Sequence, residues 1–392
     1  MVIKLKDMCD VRDGTHDSPT YVVDGYPLVT SKNIVDGKLD LSVVGYVSQE
    51  DYNKINERSN VDDGDIIMPM IGTIGNPCLV QGYTDFAIKN VALIKFPDDR
   101  IKNKYILYFL KSNAFKRYVA SKNKGGTQKF LSLGDIRNIE IPRLSTAEQE
   151  EIICCLEKME SVIKLREQEL EQLDNLIKSR FVEMFGQPFD TTRWIVKELK
   201  DISESMIDGS NVNPDYYELE GEVLFLRIQN VWRNEFRLED SVYISQEINR
   251  KSYYDTSLKT GDLLITKIGR YYTKDSSLGR VSVYRGEDDS ANYSNNIMCV
   301  RLSDCVNSEF VNVLLNLDDY QLYIRRTSKG GTDKRALSKA LIGSYPIIIP
   351  PRVLQDEFVE LVTQVDKLKF EVQKSLDETQ TLMDSLMQQY FG

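Results

Sequence analysis

The chain has 392 residues, 41% of them hydrophobic and 28% charged, an ordinary globular composition with room for about two to three domains. No run approaches the ~18 apolar residues of a membrane span, and "MVIKLKDMCDV" is charged too early for a signal peptide, so a cytoplasmic, membrane-free chain is expected. The six cysteines (Cys9, Cys78, Cys154, Cys155, Cys299, Cys305) show no C-x-x-C spacing and read as free thiols, and the net charge of -10 argues superficially against nucleic acid.

From the N-terminus, short apolar runs such as "DIIMPMIG", "VALIKF" and "IEIP" are punctuated by Gly, Asn, Asp and Pro, the pattern of strands joined by turns. A helical patch, "NKYILYFLKSNAFKRYVAS", precedes the loop "SKNKGGTQKFLSLGDI". In "LSTAEQEEI", Ser145 or Thr146 offers an N-cap with Glu148 and Gln149 at capping-box distance. Apolar residues then recur three and four apart at Leu156, Met159, Ile163, Leu170, Leu173, Ile177 and Met184, with Arg166 and Arg180 interrupting. This 3.5-residue period predicts a long helix with a coiled-coil seam.

The chain then repeats itself. "DDGDIIMPMIG" at Asp62 matches "KTGDLLITKIG" at Lys259, "VTSKNIVDG" aligns with "LRIQNVWRN", and "SKNKGGTQKFLS" returns as "TSKGGTDKRALS". "EFVNVLLNLDDYQLYIRRTS" is the second helical patch, and a second seam runs through Phe358, Leu361, Val365, Leu368, Val372, Leu382 and Leu386, with Ser375 and Thr379 between. The copies close with "FVEMFG" and "MQQYFG", 206 positions apart. A period this long indicates a duplicated domain pair rather than a solenoid. The expected organisation is 1–144, first globular domain; 145–186, long helix; 187–350, second globular domain; 351–392, long helix. The two helices pack on each other, or each lies on its own domain; the seams alone allow both.

Charge is sorted along this plan. Thr146 to Gly186 holds ten acids and five bases, and Val353 to Gly392 eight acids and three bases, which accounts for the whole -10. Arg100 to Arg137 holds ten bases and one acid, and Leu322 to Ala340 six bases and one acid, so both Gly-Gly-Thr loops sit in basic surroundings. Such loops suit phosphate contact: glycines allow close backbone approach, the threonine adds a hydroxyl, and the lysines add charge. A plain turn with solvated lysines is the alternative. No P-loop, no Gly-x-Gly-x-x-Gly after a strand and no Asn-Pro-Pro-Tyr type tetrapeptide is present, and the sole histidine, His16, has no second His or Cys nearby. No catalysis and no metal are expected.

The order of "GDIIMPMIGTIG" and "GDLLITKIG", the Gly-Gly-Thr loops, "IEIPRLSTAEQEEI" and "IIIPPRVLQDEF", and the "FVEMFG" ending resembles the specificity subunit of type I restriction–modification systems. The first Ile-Pro motif departs from the usual double proline, with Pro142-Arg143 where the second copy has Pro350-Pro351. The resemblance implies an α+β fold: two pseudo-symmetric mixed α/β target recognition domains separated by two long antiparallel helices forming a coiled coil. It implies that each domain reads half of a bipartite double-stranded DNA target. It further implies two methyltransferase subunits and two restriction subunits as partners, which use S-adenosylmethionine, ATP and Mg, with no cofactor in this chain. The DNA-binding residues so implied are Lys124, Gly125, Gly126, Thr127, Gln128 and Lys129 in the first loop and Lys329, Gly330, Gly331, Thr332, Lys334 and Arg335 in the second. Lys32 and Asn33, and Arg227, Gln229 and Asn230, are candidates for a groove-facing strand, because Asn and Gln suit adenine edges and Arg suits guanine. The specificity subunit of a related type II methyltransferase–nuclease, a free-standing DNA-modifying enzyme and a coiled-coil scaffold that binds only protein are the alternatives.

Overall fold

The computed structural model describes residues 2–72, 74–122, 130–189, 192–271, 273, 275–331 and 333–392. The chain divides into two units, Met1–Gln168 with Val372–Gly392, and Glu169–Glu371.

In the first unit, the strand Val91–Lys95 pairs antiparallel with Asp10–Asp13 on one side and Ile66–Pro69 on the other, and Cys78–Leu79 extends the sheet. A second sheet sets Tyr26–Val29 between Ala87–Ile88, in parallel, and Gly45–Val47, antiparallel. Val2–Lys4 pairs with Glu140–Pro142. The second unit repeats every one of these pairings. Ile297–Leu302 lies between Ser203–Asp208 and Leu263–Thr266, with Val281–Val283 at the edge. Val223–Leu226 lies between Ala291–Tyr293, parallel, and Val242–Ile244, antiparallel. Ile195–Glu198 pairs with Pro346–Ile349. The sequence repeat is therefore a repeat of topology.

The repeated Gly-Asp pair explains part of this. Gly64 and Gly261 hold φ of +87° and +93°, a turn that glycine adopts without strain. The next residue, Asp65 or Asp262, is 4% or 1% exposed and accepts the backbone N–H of Asp62 or Lys259, each at 2.8 Å. Burial alone would favour the neutral acid, and it does push the Asp65 carboxyl up. Each carboxylate meets a cation from the adjacent strand: Lys95 at 2.6 Å, and Arg301 through both oxygens at 2.8 and 2.7 Å.

Each helical patch breaks in two, Asn103–Lys111 with Asn113–Lys122, and Ser308–Asn316 with Asp318–Thr327. The long helices run Thr146–Phe185 and Arg352–Phe391, 40 residues each. Ser145 is the N-cap of the first: it receives the Glu148 N–H at 3.3 Å, while Glu148 Oε2 accepts the Ser145 N–H at 2.7 Å. Both helices contribute to both units. In the first, Ile152 and Leu156 from the start of one helix share a core with Phe391, Leu386 and Met387 from the end of the other. In the second, Phe181 and Phe185 share a core with Phe358 and Val362. Start meets end in each case, so the helices run antiparallel.

Two expectations need correction. The second seam is one register off over part of its length: Leu368 and Leu382 are 56% and 50% exposed, while Val362, Val365, Lys369, Val372 and Met383 turn inward. Lys369 occupies a seam position because its apolar stem can be covered while Nζ reaches Asp174 at 2.7 Å. Five of the ten bases from Arg100 to Arg137 also pair with acids. Lys102, Lys104 and Lys111 pair with Glu150, Glu157 and Glu160 of the long helix, and Arg100 pairs with Asp98. Lys122 faces Asp135, and Arg137 donates to the Val11 carbonyl. Much of this positive charge docks the helix on its own domain.

These placements predict opposite outcomes for similar substitutions. Phe391→Ala should destabilise the first unit by about 3–5 kcal/mol, whereas Leu368→Ala and Leu382→Ala should each stay within about 0.5 kcal/mol, read by calorimetric melting.

Candidate nucleic-acid interface

Paired strands flank the second Gly-Gly-Thr segment. Lys329–Gly330 pairs with Lys334–Ala336, which also pairs with Ile268–Arg270 in a three-stranded sheet that sequence reading missed. Gly330 sits at φ +144°, and a Cβ there would lie 2.6 Å from the Lys334 carbonyl oxygen. Its glycine is thus required by strand pairing, whereas Gly331 faces open space. Lys329 and Lys334 are exposed, and neither makes an ion pair among the described residues. Arg335 is half-buried: its guanidinium stacks 3.9 Å from the Tyr271 ring, and Nη1 donates to the Ser328 carbonyl at 3.3 Å. Lys124, Gly125, Gly126, Thr127, Gln128, Lys129 and Thr332 lie outside the described residues.

The segment after Ile268–Arg270 leads to a second feature. Arg280 is 6% exposed and donates to the carbonyls of Ser276 at 3.0 Å and Val231 at 3.4 Å, and to that of Asp275. Its guanidinium lies 3.6 Å from the Trp232 ring, with Arg237 at 3.5 Å from the same ring. Burial, then the neighbouring Arg233 and Arg237, hold Arg280 below its ordinary value, and burial does the same to Arg233. Mutual repulsion among arginines is unfavourable unless an anion or an aromatic face offsets it. Sequence reading missed this cluster, since Trp232, Arg233 and Arg237 are adjacent but Arg280 arrives from a distant segment.

Asn33 and Asn230, candidates for a groove-facing strand, turn into the fold. Both are buried, at 4% and 1% exposure, and their amides hold backbone. Asn33 Oδ1 accepts from the Thr30 N–H at 3.0 Å, and its Nδ2 donates to the carbonyls of Asp40 and Val43 at 3.2 and 3.0 Å. Asn230 Oδ1 accepts from the Arg227 N–H at 2.9 Å, and Nδ2 donates to the Arg237 carbonyl at 2.9 Å. An asparagine followed by a turn carries both roles in its sequence; only the return of the chain at Asp40 and Arg237 decides. Arg227 is partly buried and donates to the Asp240 carbonyl. Lys32 and Gln229, each one residue before the asparagine, are exposed.

His16 bridges Asn90 Oδ1 and Asp13 Oδ2, both at 2.8 Å. Among the described residues no group of three or more His, Cys, Asp or Glu is arranged to hold a metal ion. Among the described residues no helix is long and apolar enough to cross a membrane.

The model of the type I restriction modification DNA specificity domain matches residues 1–175 and 192–379, one match per copy of the repeat, and the chain belongs to that family. It is 20% identical over 384 residues to the type I restriction enzyme StySPI specificity subunit of Salmonella potsdam, covering 94% of this chain and 81% of that one. It is 25% identical over 232 residues to the putative type I restriction enzyme MjaX specificity subunit of Methanocaldococcus jannaschii, 56% of this chain and 53% of that one. Among solved structures, a chain from work on complex assembly and conformational transition of the type I R-M system superposes with a TM-score of 0.61 at 18% identity, covering 100% of this chain and 97% of that one. The S subunit from M. genitalium gives 0.54 at 14% identity, covering 100% and 96%. The fold of two mixed α/β domains with two long helices is thus that of the specificity subunits.

The clamp predicts a split between adjacent residues. Asn230→Ala leaves the Arg227 N–H and Arg237 carbonyl without partners and should cost about 1–3 kcal/mol, whereas Gln229→Ala should change calorimetric stability by no more than about 0.5 kcal/mol.

Proposed function

We propose that this chain is the DNA-recognition subunit of a type I restriction–modification complex, each unit gripping one half of a bipartite duplex target. One observation carries the reading: the two units repeat a single topology while differing in the polar residues on equivalent loops. Two scaffolds of one fold with different side chains on the same loop would read two different half-sequences. Phosphate contacts would come from the exposed lysines of the Gly-Gly-Thr segments, Lys329 and Lys334 in the described paired strands, and these position the protein without specifying sequence.

The chain itself would carry no chemistry. Burial pushes the Cys9 thiol up to about 12 and the Cys78 thiol to about 11, far from a reactive thiolate at neutral pH. Methyl transfer and DNA cleavage would belong to two methyltransferase and two restriction subunits using S-adenosylmethionine, ATP and Mg, in the cytoplasm. The globular parts 1–144 and 187–350 would be the target recognition domains, and the helices 145–186 and 351–392 would set the spacer and carry the methyltransferase subunits.

Salt titration tests these strands. Lys329→Ala with Lys334→Ala should weaken DNA binding by the assembled methyltransferase and lower the slope of log affinity against log salt by about two units; an unchanged slope would place the strands away from DNA.

The helices can be tested as a ruler. A 40-residue helix is about 60 Å long, equal to roughly 18 base pairs at ~3.4 Å each. One heptad added to each helix, after Gln168 and after Glu371, keeps the seam and adds roughly 10 Å, about three base pairs. Methylome sequencing should return the same two half-sites with a longer spacer. Altered half-sites with the original spacer would refute the ruler.

A further inference from the structure

The two units share a loop closed by matching hydrogen bonds, in which the exposed residue just before the buried asparagine differs. In the first unit it spans Thr30 to Asp40, and in the second Arg227 to Arg237. Asn33 and Asn230 tie the two ends together, as described. The backbone repeats the closure: the Asp40 N–H donates to the Asn33 carbonyl at 2.8 Å, and the Arg237 N–H to the Asn230 carbonyl at 2.9 Å. A third tie reaches in from the neighbouring segment. Asn76 Nδ2 donates to the Ile34 carbonyl at 3.1 Å, and Arg280 Nη1 to the equivalent Val231 carbonyl. In the second unit, Trp232 Nε1 also donates to the Gln229 carbonyl at 2.9 Å.

Against this rigid frame, Lys32 and Gln229 are exposed, and neither side chain makes a hydrogen bond or ion pair among the described residues. Immobilising a loop that presents an uncommitted polar side chain lowers the entropy lost when that side chain meets a ligand. In the second unit, the stretch from Ile268 to Arg280 touches both this loop and the proposed phosphate-binding strand. Arg280 joins Val231 to Asp275 and Ser276, the Tyr271 N–H donates to the Asp333 carbonyl at 3.0 Å, and Tyr271 carries the Arg335 guanidinium. In the first unit Asn76 holds the Ile34 carbonyl, and Ile71 bridges to Phe130.

We infer that Lys32 and Gln229 are equivalent base-contacting positions of the two units, which rests on the proposed bipartite recognition of DNA. Their chemistry names the partner edges. The Lys32 ammonium offers donors only and fits the paired acceptors O6 and N7 of guanine. The Gln229 amide offers one donor and one acceptor and fits N7 and N6 of adenine. Asn33 and Asn230 are positioning residues that hold the loop and do not touch the base.

The test uses the full chain assembled with its methyltransferase subunits. Methylated motifs are read by sequencing, and binding is measured on duplexes with single base-pair changes across each half-site. The wild-type complex should give a bipartite motif. Lys32→Ala should relax one guanine-containing position in one half-site, and Gln229→Ala one adenine-containing position in the other. Each should reduce discrimination at that position on the order of ten- to hundredfold and leave the opposite half-site unchanged. Gln229→Lys should shift preference at its position toward guanine. A wild-type bipartite motif that both alanine variants retain, with unchanged discrimination on the duplex panel, would overturn the assignment while leaving bipartite recognition standing. A wild-type complex without a bipartite motif would overturn both.

Discussion

The structure depends on one packing constraint: each globular unit is closed by the start of one long helix and the end of the other. Phe185 meets Phe310 and Phe358 at ring-centroid distances of 5.0 and 5.5 Å, and Phe391 meets Tyr105 and Phe109 at 5.4 and 5.9 Å. Phe185 and Phe391 are the terminal residues of their helices, 206 positions apart. A helix end usually frays because its last carbonyls lack partners and its side chains lack neighbours. Here an aromatic side chain on the last turn is buried in a core, so each helix is anchored at both ends. Removing either aromatic would free a helix end and open a core together.

Helix starts are fixed by a second repeated device. Gln149 and Gln355, 2% and 0% exposed, sit at equivalent places in the first turns. The Lys102 and Asn307 N–H groups each donate to the glutamine Oε1 at 2.8 Å. The glutamine Nε2 returns to carbonyls of the chain entering the helix, Leu144 at 3.2 Å and Pro350 at 2.8 Å. A buried amide satisfied on both sides ties three segments together, and its loss would leave buried groups unpaired. These ties set the direction in which each helix leaves its domain.

The internal repeat made this plan legible, because two copies of one pattern can be compared position by position even without relatives. The strands, the long helices and the Ser145 cap follow from local periodicity and capping chemistry. The misread parts are those where a residue's role depends on a distant one. Gln149 stands at capping-box distance, yet its partner is Lys102. A seam in which the apolar residues Leu361 and Val362 adjoin supports two registers, and Lys369 hides the true one behind a charge. The basic run from Arg100 looks like a nucleic-acid surface until the acids of the helix beginning at Thr146 are placed beside it. The Trp232 cluster could be read only in part, since Arg233 and Arg237 are near neighbours in sequence but Arg280 joins them only through tertiary folding.

The clamped loops show how a duplicated domain can change an exposed side chain without changing its fold. The residue that holds the loop and the residue that is free to vary are neighbours in sequence, Asn33 beside Lys32 and Asn230 beside Gln229. Their burial separates them completely, with the asparagines enclosed and the preceding residues exposed. Substitution at the exposed position touches no core and breaks no hydrogen bond, so it is close to neutral for stability. The third tie shows the same freedom one step deeper. The Ile34 carbonyl is held by the neutral amide of Asn76, and the Val231 carbonyl by the charged Arg280, whose guanidinium also lies on Trp232. The geometry of the loop survives this exchange while the charge beneath it changes, so two units of one topology acquire different electrostatic surfaces around the same frame.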